Sequence, residues 1–193
     1  KYKVQFWDTE FKKGQENDRS ACVTMLKHER GYSVVAVDAG RMEFPELLRM
    51  VSARAAQHRP NRVAIEDAAS GQSLVQMMKA ATKLPILARQ PDGDKVARVN
   101  AITGYLEAGL VSVPGDEPWV AAFLDELASF PNGAHDDMVD AFVGALNELL
   151  AMDQSAGGTE SVDTIGPPLP LRRDPLGLNP DNPAYEDIDT EER

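Results

Sequence analysis

The sequence predicts a mixed α/β domain: three antiparallel strands, then helices alternating with strands. Three observations carry that prediction. Residues 2–7 set Tyr2, Val4 and Phe6 against Lys3, Gln5 and Trp7, the two-residue period of a strand. Two more strand-like runs follow with only short links, which favours a meander. Beyond residue 43, apolar runs too short for helices are separated by segments with helical spacing.

Glu10 to Arg19 is polar and contains Gly14, so it reads as a loop. Arg19 to Lys27 places Ala21, Val23 and Met25 on one side as the second strand. Glu29-Arg30-Gly31 is a turn, and the β-branched run Tyr32 to Val37 is the third strand. A helix is predicted over 44–57, where Leu47, Leu48, Val51 and Ala55 form an apolar stripe and Pro45 sits near the start. Arg62 to Ile65 is a short buried strand, Ser70-Gly71 opens a helix over 72–81, and Leu84 to Ala88 is a fifth strand. Lys95 to Glu107 is helical, Val111 to Val113 extended, and Trp119 to Ser129 and His135 to Leu150 are the closing helices. This order of elements is that of the ribonuclease H-like fold.

Two segments differ in composition. Residues 1–153 hold the periodic elements and, with 42% apolar residues across the chain, enough to build a core. Residues 154–193 contain Gly157-Gly158, Pro167-Pro168, Pro170, Pro175, Pro180 and Pro183 without helical or strand period, the signature of a disordered tail. The net charge of −11 argues against a phosphate-binding partner, but residues 151–193 carry ten acids against three basic residues and so most of that excess. A single cysteine, Cys22, rules out a disulfide framework within the chain and a multi-cysteine zinc site. No apolar run is long enough to span a bilayer and no secretory signal opens the chain, so a soluble protein without a membrane partner is expected.

Three acidic stations stand out. Asp8 ends the first strand, Glu66 and Asp67 end the fourth, and Asp136, Asp137 and Asp140 occupy the first turn of the last helix. Each has a bland alternative, as a turn residue, an N-cap or a dipole-compensating acid. Together they suggest more, since carboxylates converging from separate elements repel unless a cation lies between them. Hard divalent ions take such oxygen donors. In the last helix Met138, Phe142, Leu146 and Leu149 should face the core. Asp136 and Asp137 then flank that stripe about 100° apart, and Asp140 points more nearly away.

These residues resemble the C-terminal nuclease domain of the large terminase subunit of tailed phages. The resemblance rests on Trp7-Asp8-Thr9 with its polar loop, on Ile65-Glu66-Asp67-Ala68-Ala69-Ser70-Gly71, and on His135-Asp136-Asp137-Met138-Val139-Asp140-Ala141. Between them, Lys95 and Arg98 precede Glu107-Ala108-Gly109-Leu110-Val111, and residues 1–150 are covered. It implies an endonuclease that cuts concatemeric viral DNA at the start and end of genome packaging, in the cytoplasm of the infected bacterial host. Carried over residue by residue, Asp8, Glu66 and one of the Asp136–Asp137 pair would hold two Mg²⁺ or Mn²⁺ ions. Asp137 is favoured, Asp136 is the nearer alternate and Asp140 the outsider. Double-stranded DNA is the implied substrate, with a portal and a small terminase subunit as companions in the assembly. The family's packaging ATPase should precede this domain, and no Gly-x-x-x-x-Gly-Lys-Ser/Thr loop occurs here. The chain also opens on Lys1, as a piece of a longer protein would.

The reaction implied is phosphodiester hydrolysis by two-metal chemistry with little sequence preference, Asp8 bridging the ions from a rigid central strand. Lys95 and Arg98 share a helical face and are candidate phosphate contacts, with solvated surface charge as the alternative, which applies equally to Lys79 and Lys83. Ser70 has no paired base nearby in sequence, Cys22 reads as core, and His28, His58 and His135 read as surface positions. Two other readings share these acids: a Holliday-junction resolvase or transposase-like nuclease, and a non-catalytic docking domain of a packaging motor.

Overall fold

The computed structural model describes residues 1–9, 19–66, 71–90 and 93–156. The elements run β1 (Tyr2–Asp8), β2 (Arg19–His28), β3 (Gly31–Arg41), α1 (Phe44–His58), β4 (Arg62–Glu66), α2 (Gly71–Ala81) and β5 (Ile86–Arg89). They continue with α3 (Lys95–Glu107), β6 (Val111–Ser112), α4 (Val120–Ser129) and α5 (Asp137–Ala156). The strands form one six-stranded sheet in the order β5-β4-β1-β2-β3-β6. The predicted meander is present, because β1, β2 and β3 pair antiparallel in sequence. β4 joins β1 in parallel, with Trp7 opposite Ile65, and β5 continues the parallel run with Glu66 opposite Arg89.

Alternation along the strands divides the core in two. Val4 and Phe6 of β1, Ala21, Val23 and Met25 of β2 and Ala64 of β4 face α3, α4 and α5. Trp7, Cys22, Val63 and Ile65 face α1 and α2 on the other side. The sheet is thus a filling between two helical layers. Asp8 is two residues beyond Phe6, and Glu66 two beyond Ala64, so strand periodicity turns both toward α5.

Several boundaries moved. β3 continues to Arg41 rather than ending at Val37, because Asp38, Ala39, Gly40 and Arg41 find ladder partners in residues 19–22 of β2. β5 starts at Ile86 rather than Leu84. Pro85 has no N–H to give a ladder, though its carbonyl still accepts from Val63 at 3.0 Å. α5 begins at Asp137 and runs to Ala156, past the predicted end at Leu150. It therefore crosses the boundary placed at residue 153. The remainder of the predicted tail, 157–193, lies outside the described residues, as do most of the predicted 10–19 loop and residues 67–70.

Two glycines are set by close approach. At Gly31, φ is 143°, and an added Cβ would stand 2.3 Å from the Leu110 carbonyl oxygen. That approach lets Tyr32 donate to the same carbonyl at 2.8 Å and bring β6 beside β3. Gly144 of α5 lies on Phe6 of β1, where a Cβ would come within 2.5 Å of two ring carbons. The missing side chain lets α5 sit low on the central strand. Phe142, Leu146 and Leu149 are buried on the same helix, each contributing about 1.5–3 kcal/mol relative to exposure.

Candidate active site

The acidic stations meet at the carboxyl edge of the sheet, where open α/β sheets place their ligands. Asp8 is 8% exposed and Glu66 9% exposed, at the ends of two adjacent parallel strands. α5 lies across them and delivers its first turn from above. Burial pushes the Asp8 carboxyl well above the ordinary aspartate value of 3.8. The charges of Glu66 and then Asp140, a hydrogen bond with Glu66 and the charge of Asp137 all push it further the same way. Every one of these influences disfavours the ionised form.

Asp140 departs from expectation. It is buried, at 7% exposed, and its charge acts on Asp8 more strongly than that of Asp137. The expectation that it points away assumed one buried stripe on α5. Instead α5 is enclosed by the sheet below and by α3 and α4 beside it, and residues 138–146 are buried without interruption. A direction off the Met138–Phe142 stripe therefore leads to protein rather than to water. Asp136, taken as the nearer alternate, is the most exposed of the three, with 43% of its side chain accessible. Asp137 is intermediate; burial raises its carboxyl, the Arg19 guanidinium opposes the rise, and Glu126 adds to it.

Lys95 and Arg98, the candidate DNA contacts, turn inward. Lys95 Nζ sits 2.6 Å from both Asp136 Oδ2 and Asp140 Oδ2, and Arg98 Nη2 lies 3.4 Å from Asp140 Oδ1. Burial works to lower the Lys95 ammonium, but its hydrogen bonds to the two aspartates outweigh this and hold it well above the ordinary lysine value. Burial likewise raises Asp140, against the pull of Lys95 and Arg98. Asp94 caps α3 by accepting from Ala97 at 3.1 Å, which fixes the turn that presents Lys95. The two cations thus border the acids rather than stand free on the surface.

Among the other residues singled out, Asp67 and Ser70 lie outside the described residues. Lys79 and Lys83 are exposed, Cys22 is buried in the core, and His135 is half exposed, its Nδ1 4.0 Å from Asp137. His28 and His58 are not the surface positions expected. Both are partly buried, and His28 Nε2 lies 3.0 Å from Ser33 Oγ.

Two acids escaped the sequence reading. Glu126 of α4 is 8% exposed, and Glu148 of α5 is 5% exposed. Glu148 accepts from Arg62 Nη1 at 2.8 Å and Arg89 Nη2 at 3.0 Å, with Arg89 Nε on its other oxygen. Both had a legible signal. Glu126 continues the i, i+3 row of Val120 and Phe123, and Glu148 that of Phe142 and Ala145. An acid at a core position needs a buried partner.

No three His, Cys, Asp or Glu side chains among the described residues already form a cage for a metal ion. The donor chemistry nevertheless fits a hard divalent cation. Asp8, Glu66, Asp137 and Asp140 supply carboxylate oxygens only, and Asp8 is buried against other acids whose charges push its carboxyl up.

A sheet of this order, with carboxylates from its first and fourth strands and its last helix at one edge, is the ribonuclease H-like arrangement. The chain belongs to the family described as the terminase RNaseH-like domain, whose model matches residues 5–149. Its structure is similar to the human cytomegalovirus terminase nuclease domain, with a TM-score of 0.60 and 13% identity over 80% of this chain and 85% of that one. It is similar to the large terminase of a thermophilic bacteriophage, with a TM-score of 0.56 and 11% identity, over 77% of this chain and 40% of that one. The chain thus spans less than half the length of that protein. The nuclease domain of the large terminase subunit gp2 of bacterial virus Sf6 gives a TM-score of 0.52 and 12% identity, over 76% and 88% of the two chains. No curated protein matches the chain in sequence. No helix among the described residues is long and apolar enough to cross a membrane.

Proposed function

We propose that this chain is a divalent-metal-dependent DNA endonuclease that cuts concatemeric viral DNA during genome packaging, acting on double-stranded DNA with little sequence preference. The observation that carries the reading is Asp8. A buried carboxyl with Glu66, Asp140 and Asp137 around it is destabilised as a lone acid and suited to a cation. Family membership supports a nuclease role, and the cytomegalovirus terminase nuclease domain has also been solved in a Mn-soaked form.

Asp8, Glu66 and Asp137 would hold two Mg²⁺ or Mn²⁺ ions, with Asp140 added to the set and Asp136 at its rim. When bound, such a pair supplies an activated water and neutralises charge on the leaving 3′ oxygen. Asp8 and Glu66, fixed at strand ends, orient the donors from below, and the first turn of α5 presents Asp137 and Asp140 from above. Lys95 and Arg98 balance the charge of Asp140 and stand where a phosphate backbone would pass. A packaging ATPase, a portal and a small terminase subunit complete the proposed assembly, and the cytoplasm of an infected bacterium is its proposed setting.

The test is plasmid nicking and linearisation by the purified domain with Mn²⁺ or Mg²⁺. Cleavage lost in chelator and in Asp8→Asn supports the reading. A folded protein inert under every divalent ion sinks it. A strong preference for four-way junctions over linear duplex would move the assignment to a resolvase.

A further inference from the structure

We propose that Glu126 is a positioning residue, capping the first turn of α5 from a neighbouring helix and so fixing where Asp137 and Asp140 stand relative to Asp8. The inference rests on the metal-dependent reading above. The first amides of a helix lack partners within it, and a side chain next to the helix start normally accepts from one of them. In α5 that place belongs to Asp136, whose carbonyl accepts from Asp140 N–H at 2.9 Å. Its carboxylate, however, is 2.6 Å from Lys95 Nζ. The Met138 amide instead donates to Glu126 Oε1 at 2.6 Å, across twelve residues of sequence.

The second oxygen of Glu126 is also committed. Arg19 Nη1 donates to Oε2 at 3.3 Å, from the first residue of β2. One buried carboxylate therefore ties the start of β2, the body of α4 and the N-terminus of α5. Because Met138 lies between Asp137 and Asp140, any sliding or rotation of this turn moves both acids against the sheet. The capping carboxylate forms part of the wall of an open cleft of about 240 Å³, with Arg19, Ser129, Gly133 and His135. Its charge also acts on Asp137, opposite in sense to that of Arg19.

Two substitutions separate geometry from charge. Glu126→Gln removes the charge and keeps an oxygen at the same reach, whereas Glu126→Asp keeps the charge and withdraws the oxygen by one methylene. Hydrogen exchange at the Met138 amide reads the cap directly. The Mn²⁺ concentration for half-maximal plasmid cleavage, and the Mn²⁺-induced rise in melting temperature, read its consequence. We expect Glu126→Asp to accelerate exchange at Met138 and raise the half-maximal Mn²⁺ concentration about 10-fold, with kcat at saturating Mn²⁺ retained. Glu126→Gln keeps an acceptor for Met138 but turns an NH2 toward Arg19, and should leave both closer to wild type than Glu126→Asp does. Wild-type Mn²⁺ dependence in Glu126→Asp, or impairment in Glu126→Gln alone, overturns the proposal. So does a lower melting temperature in Glu126→Asp unaccompanied by any change in Mn²⁺ dependence. A wild-type protein that neither cleaves nor responds to Mn²⁺ instead removes the nuclease reading, and the positioning role with it.

Discussion

Two stretches of the α5–sheet interface bury carboxylates in opposite ways. Two turns along the helix from Asp140, Glu148 lies between Arg62 and Arg89, and its oxygens are bonded to both guanidinium groups. At the N-terminal end, Lys95 and Arg98 pair with Asp140, but Asp8 beneath it meets Glu66, Asp140 and Asp137, so there acid meets acid. The same strand supplies both stations, with Arg62 at one end of β4 and Glu66 at the other, on the same face of the sheet. Between them α5 rests on Phe6 through Gly144. A carboxylate buried with its counter-ions is structural and holds the helix in place. One buried among like charges lowers stability and needs a functional reason. The paired station at Glu148 anchors the helix that closes over the unpaired Asp8.

The largest effect should come from Asp8→Asn. It should lower Mn²⁺-dependent cleavage by more than the roughly 100-fold that loss of an outer-shell partner costs, while the metal-free protein gains stability. An Asp8→Asn protein that cleaves normally breaks the distinction between the two stations.

Glu148→Ala should act in the opposite direction. Removing the shared acceptor costs about 2 kcal/mol of unfolding free energy, less whatever solvent already screens at the half-exposed Arg89. Urea titration reads it, and no loss would mean that the arginines anchor nothing. Gly144→Ala tests the ground between the stations. The clash with Phe6 should cost about 1–2 kcal/mol, since overpacking outweighs the better helix propensity of alanine. Lifting α5 should also weaken the response to Mn²⁺.

Metal-free stability should also depend on pH, with a sign fixed by the unpaired station. The folded pKa of Asp8 lies above its ordinary value of 3.8, so the folded state holds this proton more tightly than the unfolded chain. Its stabilising contribution is complete below that ordinary value and is lost as pH rises through the folded pKa. Melting temperatures without metal should therefore fall more steeply with pH in the wild type than in Asp8→Asn. Identical slopes would mean that Asp8 is not strained. The smallest effect belongs to Asp136→Asn, at the exposed rim. Losing one partner of Lys95 there should change stability by less than about 1 kcal/mol and leave the Mn²⁺-induced shift in place.

Much of this comparison was legible in the chain. The periodicity of Tyr2 to Trp7 and the short links after it gave the meander, and Val63-Ala64-Ile65 followed by Glu66 gave the parallel strand and its acid. The orientation of Asp140 was not legible. A helical wheel of α5 alone shows one apolar stripe, and only the packing of α3 and α4 shows that its other faces are enclosed as well. The inward turn of Lys95 and Arg98 was hidden for the same reason, since their partners lie about forty residues away on another helix. Glu126 and Glu148 could have been suspected as acids in apolar rows, but their partners Arg19, Arg62 and Arg89 come from three separate strands.

Whether Asp8 and its acidic neighbours take a divalent cation is decided by calorimetric scans of wild type and Asp8→Asn with and without Mn²⁺. A cation that binds only the folded state should stabilise the wild type by about 2.7 kcal/mol at a hundredfold excess over its dissociation constant. The wild type should show that large upward shift. Asp8→Asn should have a higher metal-free melting temperature and gain little further from Mn²⁺. No shift in the wild type, or equal shifts in the two proteins, would contradict it.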